Sequence, residues 1–148
     1  MIASRRSIST ALASLALVPL AARATLAAGA APTPVADKAP PPPPYKAVSS
    51  LVKLPDFLPG LGTLYVDPKT VPVGPWLAYD HQGQLVSTLY MVPLSDLDAH
   101  KKLADLKASG RTVESVDFMY NAGHPGVAEP HYHVILWHLA NGRELVAH

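Results

Sequence analysis

Apolar residues follow two patterns along the chain. From Ala11 to Leu20 they form one uncharged run without period, whereas from Gly62 onward they fall into short runs separated by Gly, Pro, Asn and Asp. The second pattern predicts strands. Gly62–Val66 is a β-prone run ended by the turn residues Asp67-Pro68-Lys69-Thr70, after the irregular stretch Leu54–Gly60. Trp76–Tyr79 and Gln84–Val92 flank Asp80-His81-Gln82-Gly83, a hairpin signature in which Gly83 supplies the positive φ of the turn. In the second of these strands Leu85, Ser87, Leu89 and Met91 share one face, and Val86, Thr88, Tyr90 and Val92 the other. Both faces are apolar, so the strand belongs in the middle of a sheet. Thr112–Tyr120 and His131–Leu139 are two further strands, and Asn141-Gly142 begins a turn.

Between the strands, Ser95 is placed to cap a helix, with Asp96 and Asp98 in its first turn and Leu97, Leu103, Ala104 and Leu106 as its apolar stripe. Lys101, Lys102 and Lys107 lie toward its C-terminal end, and Gly110 stops it. The expected fold class is therefore α+β: a small antiparallel sheet with one main helix, built from residues 49–148.

The N-terminal pattern predicts an address. Ser4-Arg5-Arg6-Ser7-Ile8 ahead of the uncharged run matches the twin-arginine export signal. The run is shorter than the roughly 20 apolar residues a membrane span needs. Ala22-Arg23-Ala24 and Ala28-Gly29-Ala30 are small-x-small cleavage sites. Residues 1–30 are thus expected to be a signal peptide, leaving a periplasmic or secreted protein with no stable membrane anchor after cleavage. Residues 31–48 hold five consecutive prolines, Pro40–Pro44, and are expected to form a polyproline II spacer that adds no core.

The 148 residues carry a formal net charge of +1 and no cysteine. No basic patch points to nucleic acid. Disulfides, thiolate copper sites, Fe–S clusters and cysteine zinc sites are excluded. Histidine is the remaining chemistry. Five of the seven histidines lie within the last 25 residues, densest in Gly123-His124-Pro125-Gly126-Val127-Ala128-Glu129-Pro130-His131-Tyr132-His133. In a strand, residues i and i+2 point the same way about 6.6 Å apart. His131 and His133 can therefore aim at one point, Glu129 shares their parity, and the Pro/Gly loop can return His124 to them. Imidazoles with a carboxylate suit Zn²⁺, Cu²⁺, Ni²⁺ or Fe²⁺. Many His-x-His pairs only hydrogen-bond to neighbours, so the pattern nominates a site without proving one. His138 has the opposite parity, His81 lies in a turn and His148 ends the chain. Asp117, mid-strand, requires a partner if buried, and a histidine is one candidate.

Two blocks resemble a known family. One is Gly74-Pro75-Trp76, Gly83-Gln84-Leu85-Val86 and Leu89-Tyr90-Met91-Val92-Pro93; the other is Gly123-His124-Pro125-Gly126 with Glu129-Pro130-His131-Tyr132-His133-Val134. In order and spacing, over about residues 55 to 139, they resemble a small family of exported bacterial proteins classed as a domain of unknown function. Its members are similar to a Thermus protein controlled by an extracytoplasmic sigma factor. The resemblance implies an α+β, oligomeric domain and supplies no reaction. The family's second block usually reads Pro-His-Tyr-Asp with a further histidine; here His133 stands in place of the acid and Ile135 in place of that histidine.

The leading expectation is an exported binding domain for a small molecule or metal ion, with His124, Glu129, His131 and His133 as ligands. An enzyme, a metal-assisted hydrolase or isomerase using Glu129 as base, is the second class. A homo-oligomeric structural or stress-response protein is the third. The export reading is checked by intact mass: secreted protein should begin after Ala24 or Ala30, and replacing Arg5 and Arg6 by Lys should block export. Mass retaining Met1, or normal export of the variant, would contradict it.

Overall fold

The hairpin that the sequence marks closes through a side chain. Asp80 Oδ1 accepts from the backbone N–H of Gln82 (2.9 Å) and Gln84 (2.8 Å), which fixes the turn between β4 (Trp76–Tyr79) and β5 (Leu85–Pro93). The computed structural model describes residues 35–148; the expected signal peptide and the first residues of the proline-rich stretch lie outside them. Around this hairpin, antiparallel pairing builds one sheet in the order β1 (Lys46–Ala47), β3 (Gly62–Val66), β4, β5, β7 (His131–Trp137), β6 (Ser115–Asn121). A two-residue strand, β2 (Phe57–Leu58), also pairs with β3. As expected, β5 is central; it lies between β4 and β7.

Each face of the sheet buries a separate set. On the first face Leu64, Val66, Trp76, Ala78, Leu89, Met91, Ile135 and Trp137 form the main core, closed by Val48, Val127 and Val146 and by the stretch Val52–Leu61. Leu77, Tyr79 and Leu85 are buried on the second face. The alternation read along β5 breaks at its start. The register shifts between Ala78 and Tyr79, pairing Tyr79 with Leu85 and Ala78 with Ser87. Val86 is the extra residue, so it joins the main core and Leu85 the opposite face.

The expected main helix is not there. Only α1 (Leu94–Asp98) and α2 (Gly142–Leu145) are α-helical among the described residues, beside two single 3-10 turns at Val48–Ser50 and Pro68–Thr70, and the domain is sheet-rich rather than balanced α+β. The stripe fails where it should continue. Three and four residues beyond Leu97 stand His100 and Lys101, and His100 (φ 53°) and Asp105 (φ 58°) take left-handed backbone. Ser95 does not cap the helix but donates to a Glu129 carboxylate oxygen (2.9 Å), and Lys101 turns back onto Asp96 (3.0 Å). The segment instead crosses the second face as irregular chain. It is tied there by Tyr90 Oη donating to Lys107 O and by His138, whose Nδ1 donates to Thr112 O (2.9 Å) while Nε2 accepts from Thr88 Oγ1 (2.9 Å) and Ser109 Oγ (3.1 Å).

The proline-rich stretch also differs from a free spacer. From Val35 it lies along the domain. Tyr79 Oη donates to Ala36 O (2.9 Å), Leu85 N–H to Asp37 O (2.9 Å) and Ala39 N–H to Gly83 O (2.8 Å). Val35, Ala39 and Tyr45 pack on Leu77, Tyr79 and Leu85, and Arg111 pairs with Asp37 (2.9 Å). Proline cannot join a sheet interior, but it can cover one. β6 is an edge strand, and Val116, Phe118, Met119 and Tyr120 on it are exposed, Phe118 by 70%. Among the described residues no helix is long and apolar enough to cross a membrane.

The covering role of residues 35–47 has a measurable consequence. Deleting them uncovers three fully buried side chains and should cost at least about 2 kcal/mol, lowering Tm by about 10 °C. An unchanged melting curve would restore the spacer.

Candidate metal centre

β7 supplies the first two ligands because of its parity. His131, His133, Ile135 and Trp137 are buried on the core face, alternating with half-buried Tyr132, Val134 and Leu136. Pairing with both neighbours holds this register: His133 stands opposite Met91 on β5 and Met119 on β6, and His131 opposite Pro93 and Asn121.

His124 comes back through a tight turn. Its N–H donates to Val127 O (2.9 Å) and the N–H of Val127 returns to His124 O (3.0 Å), enclosing Pro125 and Gly126. Proline followed by a glycine at φ +93° is the requirement of a type II turn. Gly123 (φ +118°) precedes it with its α-carbon against Ala128 O; a Cβ there would sit 2.3 Å from that oxygen. Val127 is buried and anchors the turn in the core. The His124 ring then meets His131 edge-on at 4.9 Å between centroids and His133 at 5.6 Å.

One ring nitrogen from each of His124, His131 and His133 lies within 4.8 Å of the others. Backbone carbonyls orient two of the rings. His131 Nδ1 donates to Glu129 O (2.7 Å) and His124 Nδ1 to Pro125 O (3.0 Å), which puts the lone pair of each ring on Nε2. His131 Nε2 and His133 Nε2 are 3.0 Å apart. With His131 Nε2 the acceptor, the shared proton belongs to His133. Burial, then the neighbouring His131 and His124, push the His133 pKa down from 6.5 to about 4. His133 is therefore a neutral ring with its proton on Nε2, and moving that proton to Nδ1 would turn a third lone pair toward the other two.

The expected ligands separate into two groups. The three histidines are together. Glu129 is not with them: its carboxylate accepts from Ser95 on the exposed surface, and it serves His131 through its backbone oxygen. Asp117 has partners other than histidine. It accepts from Trp137 Nε1 (2.8 Å) and from Arg143 Nε (2.8 Å) and Nη2 (2.7 Å), and Arg143, then Trp137, hold its pKa low. His138 stays apart, as its parity requires, and His81 stacks on Phe57 (3.7 Å). Sequence reading missed the cavity beside the cluster. About 320 Å³ in volume, it lies between the sheet and the stretch Val48–Leu61, with His124, His133 and Asn121 in its wall. The scattered apolar residues Val48, Leu51, Val52, Leu54, Leu58 and Leu61 before β3 are its trace in the sequence.

Fold and site define a small, sheet-rich protein with a three-histidine cluster beside an apolar cavity. The chain is similar to a solved structure, the hypothetical protein TTHB210 from Thermus thermophilus, at 41% identity and a TM-score of 0.56, over 64% of this chain and 88% of that one. It belongs to the family of that protein. No family model matches the chain, and no curated protein does. The likeness establishes kinship with an uncharacterised protein and carries no activity.

Burial makes His133 and His138 acid-sensitive. His133 is displaced from 6.5 to about 4. His138 is also lowered, by burial first and Arg111 second, against the opposing hydrogen bond to Thr112. The unfolded chain accordingly binds more protons below its own histidine pKa, so stability is full above about pH 6.5 and falls as the pH drops toward about 4. The loss should be on the order of 1–3 kcal/mol, read from urea midpoints, and smaller in His138→Gln. Stability flat from pH 7.5 to 4.5 would contradict the neutral buried rings.

Proposed function

We propose that the protein is an exported metal-binding protein that holds a divalent transition-metal ion on His124, His131 and His133. The observation that carries this reading is the convergence of three ring nitrogens within 4.8 Å, two of them oriented by carbonyl groups behind the rings. An all-imidazole set suits Zn²⁺, Cu²⁺, Ni²⁺ or Fe²⁺, and three protein ligands leave a position for a water or a small molecule. Export is supported by Arg5-Arg6 and the apolar run that follows. Binding is favoured over metal-assisted hydrolysis by Glu129, the one carboxylate placed by sequence as a base, whose carboxylate is engaged with Ser95.

Calorimetry tests the centre. His131→Ala and His133→Ala should each weaken Zn²⁺ or Cu²⁺ binding at least about tenfold, roughly 1.4 kcal/mol, and His124→Ala should do the same; Glu129→Gln, His81→Ala and His148→Ala should change it little. Wild type that binds no divalent metal more tightly than about millimolar would contradict the reading.

The exposed edge strand favours assembly as a second property. An antiparallel edge pairs with its own copy across a two-fold axis without any other partner, and Phe118 and Tyr120 would be covered by it. Sedimentation should show a dimer or larger assembly that Phe118→Lys dissociates; a wild-type monomer at about 100 µM, where even a weak self-association at this scale populates its dimer, would contradict it.

A further inference from the structure

The cavity beside the histidines is more selective than a metal site needs. Its volume is about 320 Å³, room for roughly ten non-hydrogen atoms at the volume each water takes in the liquid. One wall is the sheet, with Leu64, Trp76 and Met91. The opposite wall is the stretch from Val48 to Leu61, and the turn Pro125–Val127 closes one side. Polar side chains are confined to one place. Trp76 turns its indole N–H away to Pro72 O (2.9 Å), which leaves Asn121, His124 and His133 as the polar members of the lining. The space therefore has an apolar body and an imidazole end.

Charge decides what belongs at that end. Three neutral imidazoles add no negative charge to a bound dication, and Glu129 is turned to Ser95 on the surface. His131 and His133 are 0% and 4% exposed, so the excess charge would sit next to an apolar space, where an unpaired charge is costly. An anionic group at the open metal position halves that excess charge and lowers the cost. The apolar walls recognise whatever the anion carries.

We propose that the cavity binds a small carboxylate with an apolar body, the size of a medium-chain fatty acid or an arylalkanoate, whose head group completes the coordination of the metal. The inference rests on the metal reading above. The ligand's body lies between the sheet and the Val48–Leu61 stretch, and its carboxylate meets the ion beside His133 and His124. Asn121, whose Oδ1 already accepts from Gly123 N–H (2.8 Å), presents its side chain to the same end.

The test is titration of Zn²⁺-loaded full-length protein with octanoate, acetate and 1-octanol. Octanoate should bind at least about a hundredfold more tightly than acetate, because burial of each methylene adds to affinity, and at least about tenfold more tightly than octanol. Leu58→Trp and Leu54→Trp fill the cavity from its covering stretch. Each should lose octanoate binding while retaining Zn²⁺ affinity, which also reports that the variant is folded. Octanoate bound no more tightly than acetate, octanol bound as well as octanoate, or octanoate retained in both Trp variants overturns the inference and leaves the metal reading standing. Wild type that binds neither Zn²⁺ nor Cu²⁺ overturns the metal reading itself, and with it the charge argument for the head group.

Discussion

The site depends on the double pairing of β7. This strand pairs with β5 over seven residue pairs and with β6 over seven more. A slip of one residue in either ladder would turn His131 and His133 to the opposite face and bring Tyr132 and Val134 into the core. Ile135 and Trp137 on the same parity resist that slip, because both are almost completely buried beneath Val86, Leu89 and Val146. The hydrophobic core therefore sets where the imidazoles point. Met91 and Met119, opposite His133 on the two neighbouring strands, complete the row.

Against this rigid floor, the third histidine is delivered by turn chemistry. Pro125 and Gly126 close the loop and Val127 pins it. The carbonyl oxygens of Glu129 and Pro125 hold the His131 and His124 rings from behind. Burial first, and then the nearness of His131 and His124, keeps His133 uncharged far below its ordinary range. A bound ion would stand where the proton shared between His131 and His133 now lies, with that proton moved to His133 Nδ1 so that all three rings stay neutral.

Much of the sheet was legible because period-two alternation and turn residues act locally. Asp80–Gly83 was read as a hairpin and is one; β5 was read as central and is central. The parity of His131 and His133 was legible for the same reason, and the Pro-Gly pair explained how His124 could return. What failed depended on tertiary context. Capping residues and scattered leucines suggested a helix through Gly110, but Leu97 has no apolar neighbour one turn on, and the face of β5 and β7 accepts the segment as irregular chain. Composition marked residues 31–48 as a spacer, and no local pattern shows that Leu77, Tyr79 and Leu85 need a cover from Val35 to Tyr45. Glu129 had the right parity for a ligand, yet it precedes the first β7 pair, where parity no longer governs direction. The bulge at Val86 similarly exchanged the faces of Leu85 and Val86 in an otherwise correct alternation.

Whether three histidines bind one ion is decided by X-ray absorption spectroscopy of the Zn²⁺-loaded protein. The spectrum should show three imidazole nitrogens at about 2.0–2.1 Å with one further light atom, falling to two imidazoles in His124→Ala. A shell of oxygen alone, or an imidazole count unchanged by His124→Ala, would contradict a three-histidine site.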